Sequence, residues 1–178
     1  MLTAENNECH VYLYDGSFEG LLTAVFEAWG DKNFKDICAH ANLRPGFLDS
    51  NIYVETDDAK AERVSRWIRT KVSESVGNSI YEYFAAEAPN CEKIIYFYLR
   101  ACNRYGPTVD DHLTDPAVLN FANAQKPIGR ERNKMLGFVR FRELDNKVLF
   151  SEIATEYNHL MYLGSFFFDR MTAIPWMI

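Results

Sequence analysis

Apolar residues in the first part of this chain recur mainly with the period of a helix. From Phe18 to Trp29 they are spaced by three and four, after a short apolar run at 9–14 that predicts a strand. Asp15 or Ser17 is in the position of the helix N-cap, and a glycine follows the last apolar position. The pattern therefore predicts a strand that leads into an amphipathic helix.

The middle of the chain combines a weakly patterned stretch with a series of helices. Residues 31–50 lack a sustained period and predict mainly loop, with a short helical turn at 34–39, before a brief strand at 52–54. The helix at 91–105 is apolar around most of its circumference, which favours a central place in the core. Helices are predicted at 57–76, with Asp57 or Asp58 as N-cap, and at 79–88, 91–105, 115–125 and 130–136.

Near the C-terminal end the period changes to two. The alternation predicts a β-hairpin over 138–153 around a two-residue turn, Asp145-Asn146, with Arg140 opposite Ser151. A last helix and strand are predicted at 157–171 and 175–178. The fold class expected is α+β, mainly helical, with a small antiparallel sheet that includes the hairpin.

Composition and length indicate a globular protein with a large core. The chain has 178 residues, of which 48% are hydrophobic and 25% charged, so it is far from the composition of disordered proteins. We expect one domain over 1–178. The N-terminus has no basic and apolar leader, and no apolar stretch is long enough to span a membrane. A cytoplasmic protein without a membrane association is therefore expected.

Positive charge is concentrated in one segment of an otherwise acidic chain. The formal net charge is -6, whereas residues 126–142 carry six cations against the single acid Glu131, or +5, which leaves -11 for the remainder. Such asymmetry favours a surface that faces a polyanion. The alternative is that these cations have no binding role, because they are solvated and pair with acids elsewhere, such as Glu143, Glu152 and Asp169. The candidate nucleic-acid contacts are Lys126, Arg130, Arg132, Asn133, Lys134, Arg140 and Arg142.

A second group of polar residues is the main candidate for chemistry, ahead of Cys9-His10 and Cys38-Ala-His40, which have the residue types but not the spacing of a metal site. Asp110, Asp111 and His112 are the residue types that ligate metals or transfer protons, and they lie between predicted helices. The alternative is an ordinary polar loop, in which Asp115 serves as a helix cap. The chain has no phosphate-cradling glycine motif and no nucleophile elbow. We expect no cofactor and no metal, and an enzyme is the less favoured class.

Several segments, in the right order, resemble a bacterial family of DNA metabolism proteins that carries a domain of unknown function. The resemblance implies a partner in DNA modification or repair, because members are encoded beside a radical S-adenosylmethionine protein. Some members are fused to a uracil-DNA glycosylase of the UdgX type. The segments are Tyr14–Ala28, Val54–Asp57 with Lys60 and Arg63-Val64, Leu113–Val118, Gly137–Leu144, and Phe167–Arg170 with Pro175-Trp176.

The chain departs from that family pattern at two histidines. The segment before the hairpin usually reads Glu-x-His-Lys/Arg, whereas Asn133 occupies the histidine position here. A histidine often precedes the asparagine after the hairpin, and here Tyr157 precedes Asn158. Many relatives also continue with a further strand and tail where this chain ends at Ile178, so the resemblance implies that a short C-terminal extension is lacking here. If those histidines donate protons or bind ligands in relatives, this chain has lost both.

Three hypotheses about function follow. The first is an accessory protein of DNA metabolism that binds nucleic acid, with DNA favoured, or a DNA-acting enzyme, through the basic segment 126–142. The second is a pure protein-interaction module that docks on a radical S-adenosylmethionine enzyme or a glycosylase; its sign would be an exposed apolar patch with the arginines already paired to acids. The third is a nucleic-acid-modifying enzyme that uses Asp110, Asp111 and His112.

Overall fold

The N-terminal part of the fold is a small parallel sheet with helices packed against it. The computed structural model describes residues 9–42, 49–145 and 147–178. The central strand is buried from Val11 to Tyr14, as is usual for parallel strands, which are covered on both faces. The strands, in the order β2-β1-β3, are β1 (Cys9–Tyr14), β2 (Phe34–Ala39) and β3 (Asp49–Tyr53).

Strand β2 contradicts the prediction of loop or helical turn at 34–39. It pairs in parallel with β1, with Tyr12 opposite Ile37, and α1 (Phe18–Ala28) connects the two strands as a βαβ crossover. Ile37 is the one fully buried residue of β2, so the sequence carries no alternating pattern there. The strand exists because of a long-range backbone pairing, which a local pattern cannot reveal.

The capping alternatives of the first two helices are resolved. Ser17 caps α1, since its hydroxyl accepts a hydrogen bond from the amide of Gly20 at 2.9 Å. Asp57 caps α2 (Asp58–Trp67) through the amides of Ala59 and Lys60. Both caps lie at the carboxyl edge of the parallel sheet, where β1 and β3 end.

The boundary between the second and third helices was predicted wrongly. Helix α2 passes at Trp67 into a π-helical turn, Ile68–Val72, and does not continue to Val76. Ser73 has an extended backbone, and its hydroxyl accepts from the amide of Val76 at 3.1 Å. This cap begins α3 (Glu74–Ala85) about one turn earlier than the predicted start at residue 79.

Helix α4 (Cys91–Tyr105) has the predicted bounds and lies at the centre of the core. Ile95, Tyr96 and Leu99 are completely buried, and the helix contacts β2, α3 and α5. Its apolar circumference is therefore covered from several directions, as the sequence predicted.

Helix α5 (Pro116–Phe138) is continuous, which contradicts the prediction of two helices at 115–125 and 130–136. Pro127 lies inside it and removes the hydrogen bond to the carbonyl of Asn123. Both residues are exposed, so water can satisfy that carbonyl and the helix continues through the proline. The continuity places the whole second half of α5 on one helical surface.

A small sheet near the C-terminal end confirms the hairpin and the α+β class, but the predicted antiparallel sheet is found only in the hairpin, since this sheet is mixed and the N-terminal sheet is parallel. Strands β4 (Arg142–Glu143) and β5 (Leu149–Phe150) pair antiparallel, and β6 (Trp176–Met177) joins β5 in parallel. The predicted register was wrong by one residue, since Arg142 and not Phe141 lies opposite Phe150. The amide of Lys147, which has a φ of 62°, donates to Leu144, so the connection is one residue longer than the two-residue turn.

The last helix, α6 (Leu160–Phe168), is shorter than the predicted 157–171. The amides of Glu156 and Tyr157 donate to the carboxylate of Glu131 and are therefore held outside the helix. Within the part of the chain that the structure describes, no helix combines the length and apolar character needed to cross a membrane.

Candidate nucleic-acid interface

The exposed side chains of the second half of α5 form one continuous row. Between residues 122 and 138 the exposed positions recur by one and three along the helix, and every other position is partly or fully buried. We call this row, together with Arg140, the basic stripe. Its members on α5 are Asn123, Lys126, Pro127, Arg130, Asn133, Lys134, Gly137 and Phe138.

Arg140 extends the stripe beyond the end of the helix. Its Nη1 donates to the carbonyl oxygens of Gly137 at 2.8 Å and Val139 at 3.0 Å. A cation is favourable at this position because the C-terminal carbonyls carry partial negative charge. Among the described residues, the other guanidinium nitrogens of Arg140 make no hydrogen bond to the protein, so they can donate to a bound anion.

The single acid of the basic segment is turned away from the stripe. Glu131 Oε1 accepts the amide of Glu156 at 2.8 Å, and its Oε2 accepts the amide of Tyr157 at 3.1 Å. His159 Nε2 lies 3.0 Å from the same Oε2, and the His159 side chain is 2% exposed. The stripe therefore presents Lys126, Arg130, Lys134 and Arg140 without an acidic neighbour on its own face.

The environment of Glu131 favours its charged form. Burial would raise the pKa of this carboxyl, but the amides of Glu156 and Tyr157 and the contact with His159 outweigh burial and lower it. Glu131 is therefore an anion that ties α5 to the segment before α6. Its negative charge is compensated by hydrogen-bond donors inside the protein.

The remaining two arginines of the basic segment lie outside the stripe. Arg132 points to the other side of α5, where its Nη1 bonds Glu82 Oε2 at 2.9 Å and its guanidinium lies 4.5 Å from the Tyr162 ring centre. Arg142 lies on β4 with its guanidinium 5.3 Å from the Phe150 ring centre, and it is exposed. Five of the six cations thus have no carboxylate partner within the described residues, and Arg132 is the exception.

Arg132 contributes instead to a cleft between α3, α5 and α6. The cleft has a volume of about 610 Å³, and its walls include Glu82, Tyr162 and His159. Its polar groups are largely engaged with one another, since Gln125 also donates to the backbone of Ser79. We therefore place Arg132 among the structural residues of this cleft and not on the interface.

The second sequence candidate, Asp110 to His112, lies in a 3₁₀ turn and the residue that follows it. Asp110 accepts a hydrogen bond from the buried Tyr98 hydroxyl, and His112 stacks on Tyr105 with ring centres 3.9 Å apart. Burial, followed by the bond to Asp110, raises the pKa of Tyr98 far above its usual range. Asp110 and Asp111 are both exposed, and Asp110 thus accepts from a core hydroxyl at the protein surface.

Asp115 serves as the predicted N-cap of α5. Its Oδ1 accepts the amide of Ala117 at 2.8 Å, and its Oδ2 accepts from Arg104 at 2.9 Å and from the Tyr105 hydroxyl. The backbone bond from Ala117, with these further contacts, lowers the pKa of Asp115. Among the residues that the structure describes, no group of three histidine, cysteine or acidic side chains is arranged to hold a metal ion.

Two features of the interface were not found from the sequence. Phe138 was assigned to a strand, whereas it ends α5 with 70% of its surface exposed, one turn after Lys134. The inward direction of Glu131 was also missed. A continuous helix from Lys126 to Phe138 would have placed both residues correctly. From the sequence alone, Pro127 instead indicates a break between two helices.

The fold and the site define a mainly helical α+β protein with a basic helix face. The chain belongs to the family DUF4130, a domain of unknown function, whose model matches residues 89–178. That range contains α4 to β6 and therefore the whole basic stripe. Searches of curated proteins and of solved structures gave no match.

Proposed function

We propose that this protein is an accessory factor of nucleic-acid metabolism that binds nucleic acid through the basic stripe. One observation carries the proposal: Lys126, Arg130, Lys134 and Arg140 share an exposed surface, and Glu131, the single acid of the segment 126–142, is turned away from it. In a chain of net charge -6, cations left unpaired on one face are available to an external polyanion.

The dimensions of the stripe fit a backbone-tracking contact. From Lys126 to Phe138 the helix rises about 18 Å at 1.5 Å per residue. Cations four residues apart are neighbours on the helix surface, so Lys126, Arg130 and Lys134 can contact successive phosphates of one strand. Contacts to phosphate carry no sequence information, so we expect binding with little sequence preference.

The resemblance to DNA metabolism proteins supports DNA as the nucleic acid. One of the segments that carry this resemblance, Gly137–Leu144, begins at the end of the stripe and includes Arg140 and Arg142. A role beside a radical S-adenosylmethionine protein in DNA modification or repair is the corresponding biological setting. This support comes from the genes that lie beside those of similar proteins and from the domains fused to them.

Direct binding tests the proposal. Fluorescence anisotropy of labelled DNA at about 50 mM salt is measured with the full chain and with the double variant Arg130→Ala/Lys134→Ala. We expect the double variant to bind at least about 10-fold more weakly, because two charge-assisted phosphate contacts are lost. Lys71→Ala, which removes an exposed cation on the π-helical turn, is the matched control and should bind like the wild type. Absence of binding by the wild type would overturn the proposal.

A second function is favoured by a separate observation, the exposed apolar face of α6. This helix is apolar almost throughout, yet Leu163 is its one fully buried residue, and Leu160, Met161 and Phe168 are exposed. Such a face is typical of protein interaction sites. Under this proposal the protein docks on a radical S-adenosylmethionine enzyme or a glycosylase. A pure docking module was expected to have its arginines paired to acids. In the described residues Arg132 is the one cation of the segment 126–142 with such a partner, so docking does not account for the other cations.

Sedimentation of equimolar mixtures with such a partner tests the docking function. Met161→Asp is expected to abolish a complex formed by the wild type, because it places a charge in the centre of the apolar face. Arg130→Ala should leave that complex intact if docking depends on α6 alone. A complex that resists Met161→Asp would contradict an interface on this helix.

A further inference from the structure

Phe138 is the residue of the basic stripe that phosphate binding does not explain. It is an apolar side chain with 70% of its surface exposed, and it lies in the same exposed row as the cations. Lys134 precedes it by four residues, so their side chains are neighbours on the helix surface. Arg140 follows it and is anchored to the carbonyls on either side, those of Gly137 and Val139.

An exposed aromatic ring with a cation on either side of it along the chain has a specific use in nucleic-acid recognition. Proteins that bind single strands combine cations that follow the backbone with aromatic rings on which unpaired bases stack. In a duplex the base faces are covered by their neighbours, so an exposed ring on a helix face has no base face to contact. The ring adds nothing to a phosphate contact, because phosphate is strongly hydrated and phenylalanine is apolar.

The neighbours of Phe138 along the exposed row include cations. Its exposed helical neighbours are Lys134 and Gly137, and Arg140 lies next to them. A protein partner that covered this ring would have to bring acidic groups to the cations and an apolar group to the ring. Each nucleotide of a single strand supplies both a phosphate and a flat base face. A single strand therefore matches a ring flanked by cations more simply than a protein partner does.

We infer that the basic stripe binds single-stranded nucleic acid and that Phe138 is the stacking platform for one unpaired base, with Lys134 and Arg140 on the flanking phosphates. This inference rests on the proposed function and names the ligand class of the same site. It predicts that the protein binds single strands more tightly than duplex. It also predicts that the contribution of Phe138 to affinity depends on the presence of bases and not on charge.

The test compares three labelled ligands with the full-length protein by fluorescence anisotropy: an oligothymidylate of about 15 nucleotides, a strand of the same length with abasic sugars, and a duplex of that length. Phe138→Ala is expected to weaken oligothymidylate binding by about 5- to 140-fold, the range expected for the loss of one stacked base. It should leave abasic-strand and duplex binding unchanged. Arg130→Ala should weaken all three, since every ligand has phosphates.

Two further variants separate stacking from folding and from general apolarity. Phe138→Trp should bind oligothymidylate at least as well as the wild type, and its fluorescence should be quenched by the stacked base. Phe138→Leu should behave like the alanine variant. Tyr53→Ala is the matched control, because Tyr53 is 67% exposed on the edge strand β3, in the parallel sheet and outside the stripe. It should have no effect.

The outcomes distinguish the inference from the proposed function. Equal binding of all three ligands that is unaffected by Phe138→Ala overturns the single-strand inference and leaves phosphate binding in place. No binding of any ligand overturns both. Poly-glutamate serves as a polyanion without bases: if Phe138→Ala weakens its binding as much as that of oligothymidylate, the ring does not act by stacking on bases and the inference is overturned. A dimer that dissociates in Phe138→Ala would assign the ring to a contact between copies of this chain and would also overturn it.

Discussion

The inward orientation of Glu131 is the structural condition for an acid-free stripe, and Glu131→Ala tests it directly. The substitution removes the acceptor of two backbone amides, those of Glu156 and Tyr157, and of the buried His159 ring nitrogen. These bonds tie α5 to the segment before α6, so their loss should destabilise the fold and not merely alter a surface charge.

The magnitude follows from which partners remain without an acceptor. Hydrogen bonds to a charged group contribute about 1.5–3 kcal/mol each, and a buried donor left unsatisfied costs about 1–3 kcal/mol. Glu156 is exposed and water can replace its lost bond, whereas His159 is buried and Tyr157 half-buried. Counting His159 in full and Tyr157 in part, we expect Glu131→Ala to lower the free energy of unfolding by about 3 kcal/mol.

Urea unfolding of the full chain, followed by circular dichroism, measures this change from the midpoint at constant slope. Glu143→Ala is the control, since Glu143 is exposed on β4, and it should change the free energy by less than about 0.5 kcal/mol. Glu131→Gln keeps one acceptor oxygen and should fall between the two. A loss below about 0.5 kcal/mol for Glu131→Ala would refute the argument that this carboxylate is bound internally.

Three further predictions follow from the same contacts. Because the pKa of Glu131 is depressed in the folded protein, its contribution is present above the usual pKa of 4.5 and is lost as the pH falls below it. The difference in unfolding free energy between wild type and Glu131→Gln should therefore shrink between pH 5 and pH 3, and a difference that grows would contradict this sign. Asp115→Ala removes the α5 cap and should cost about 1–2 kcal/mol in a thermal melt, whereas Asp111→Ala should leave stability unchanged. Leu99→Ala, in the fully buried centre of α4, should cost about 2–5 kcal/mol by urea titration, and a smaller loss would mean that the site collapses around the cavity.

Elements with strong local signals could be predicted from the sequence, and α4 shows why. Its apolar residues, the preceding Pro89 and the following Gly106-Pro107 are all local, and the predicted bounds 91–105 are those observed. The helix caps were likewise readable, because Ser17, Asp57 and Asp115 each act on amides two or three residues away.

Elements that depend on distant partners or on solvent could not be predicted. Strand β2 forms through its pairing with β1, and its own residues have no period. A proline usually ends a helix, but Pro127 and Asn123 are exposed, so water can satisfy the freed carbonyl and α5 continues. The hairpin register was missed because a third connecting residue shifts the pairing by one.

The candidate site was predicted as a segment and not as a surface. The sequence identified 126–142 as the concentration of positive charge, and five of its six cations are unpaired in the described part of the chain. The sequence could not show that Glu131 and Arg132 turn inward, because the direction of a side chain depends on the continuity of α5 through Pro127. Phe138 was placed on a strand for the same reason, because α5 was not expected to continue to it.

The salt dependence of single-strand binding is the most direct test of the central claim that the stripe meets phosphates. If Lys126, Arg130, Lys134 and Arg140 each neutralise one phosphate, the log-log slope of the association constant against salt should be about -3, from about -0.7 per contact. Arg130→Ala/Lys134→Ala should reduce it to about -1.4. A wild-type slope near zero, or an unchanged slope in the double variant, would contradict the account.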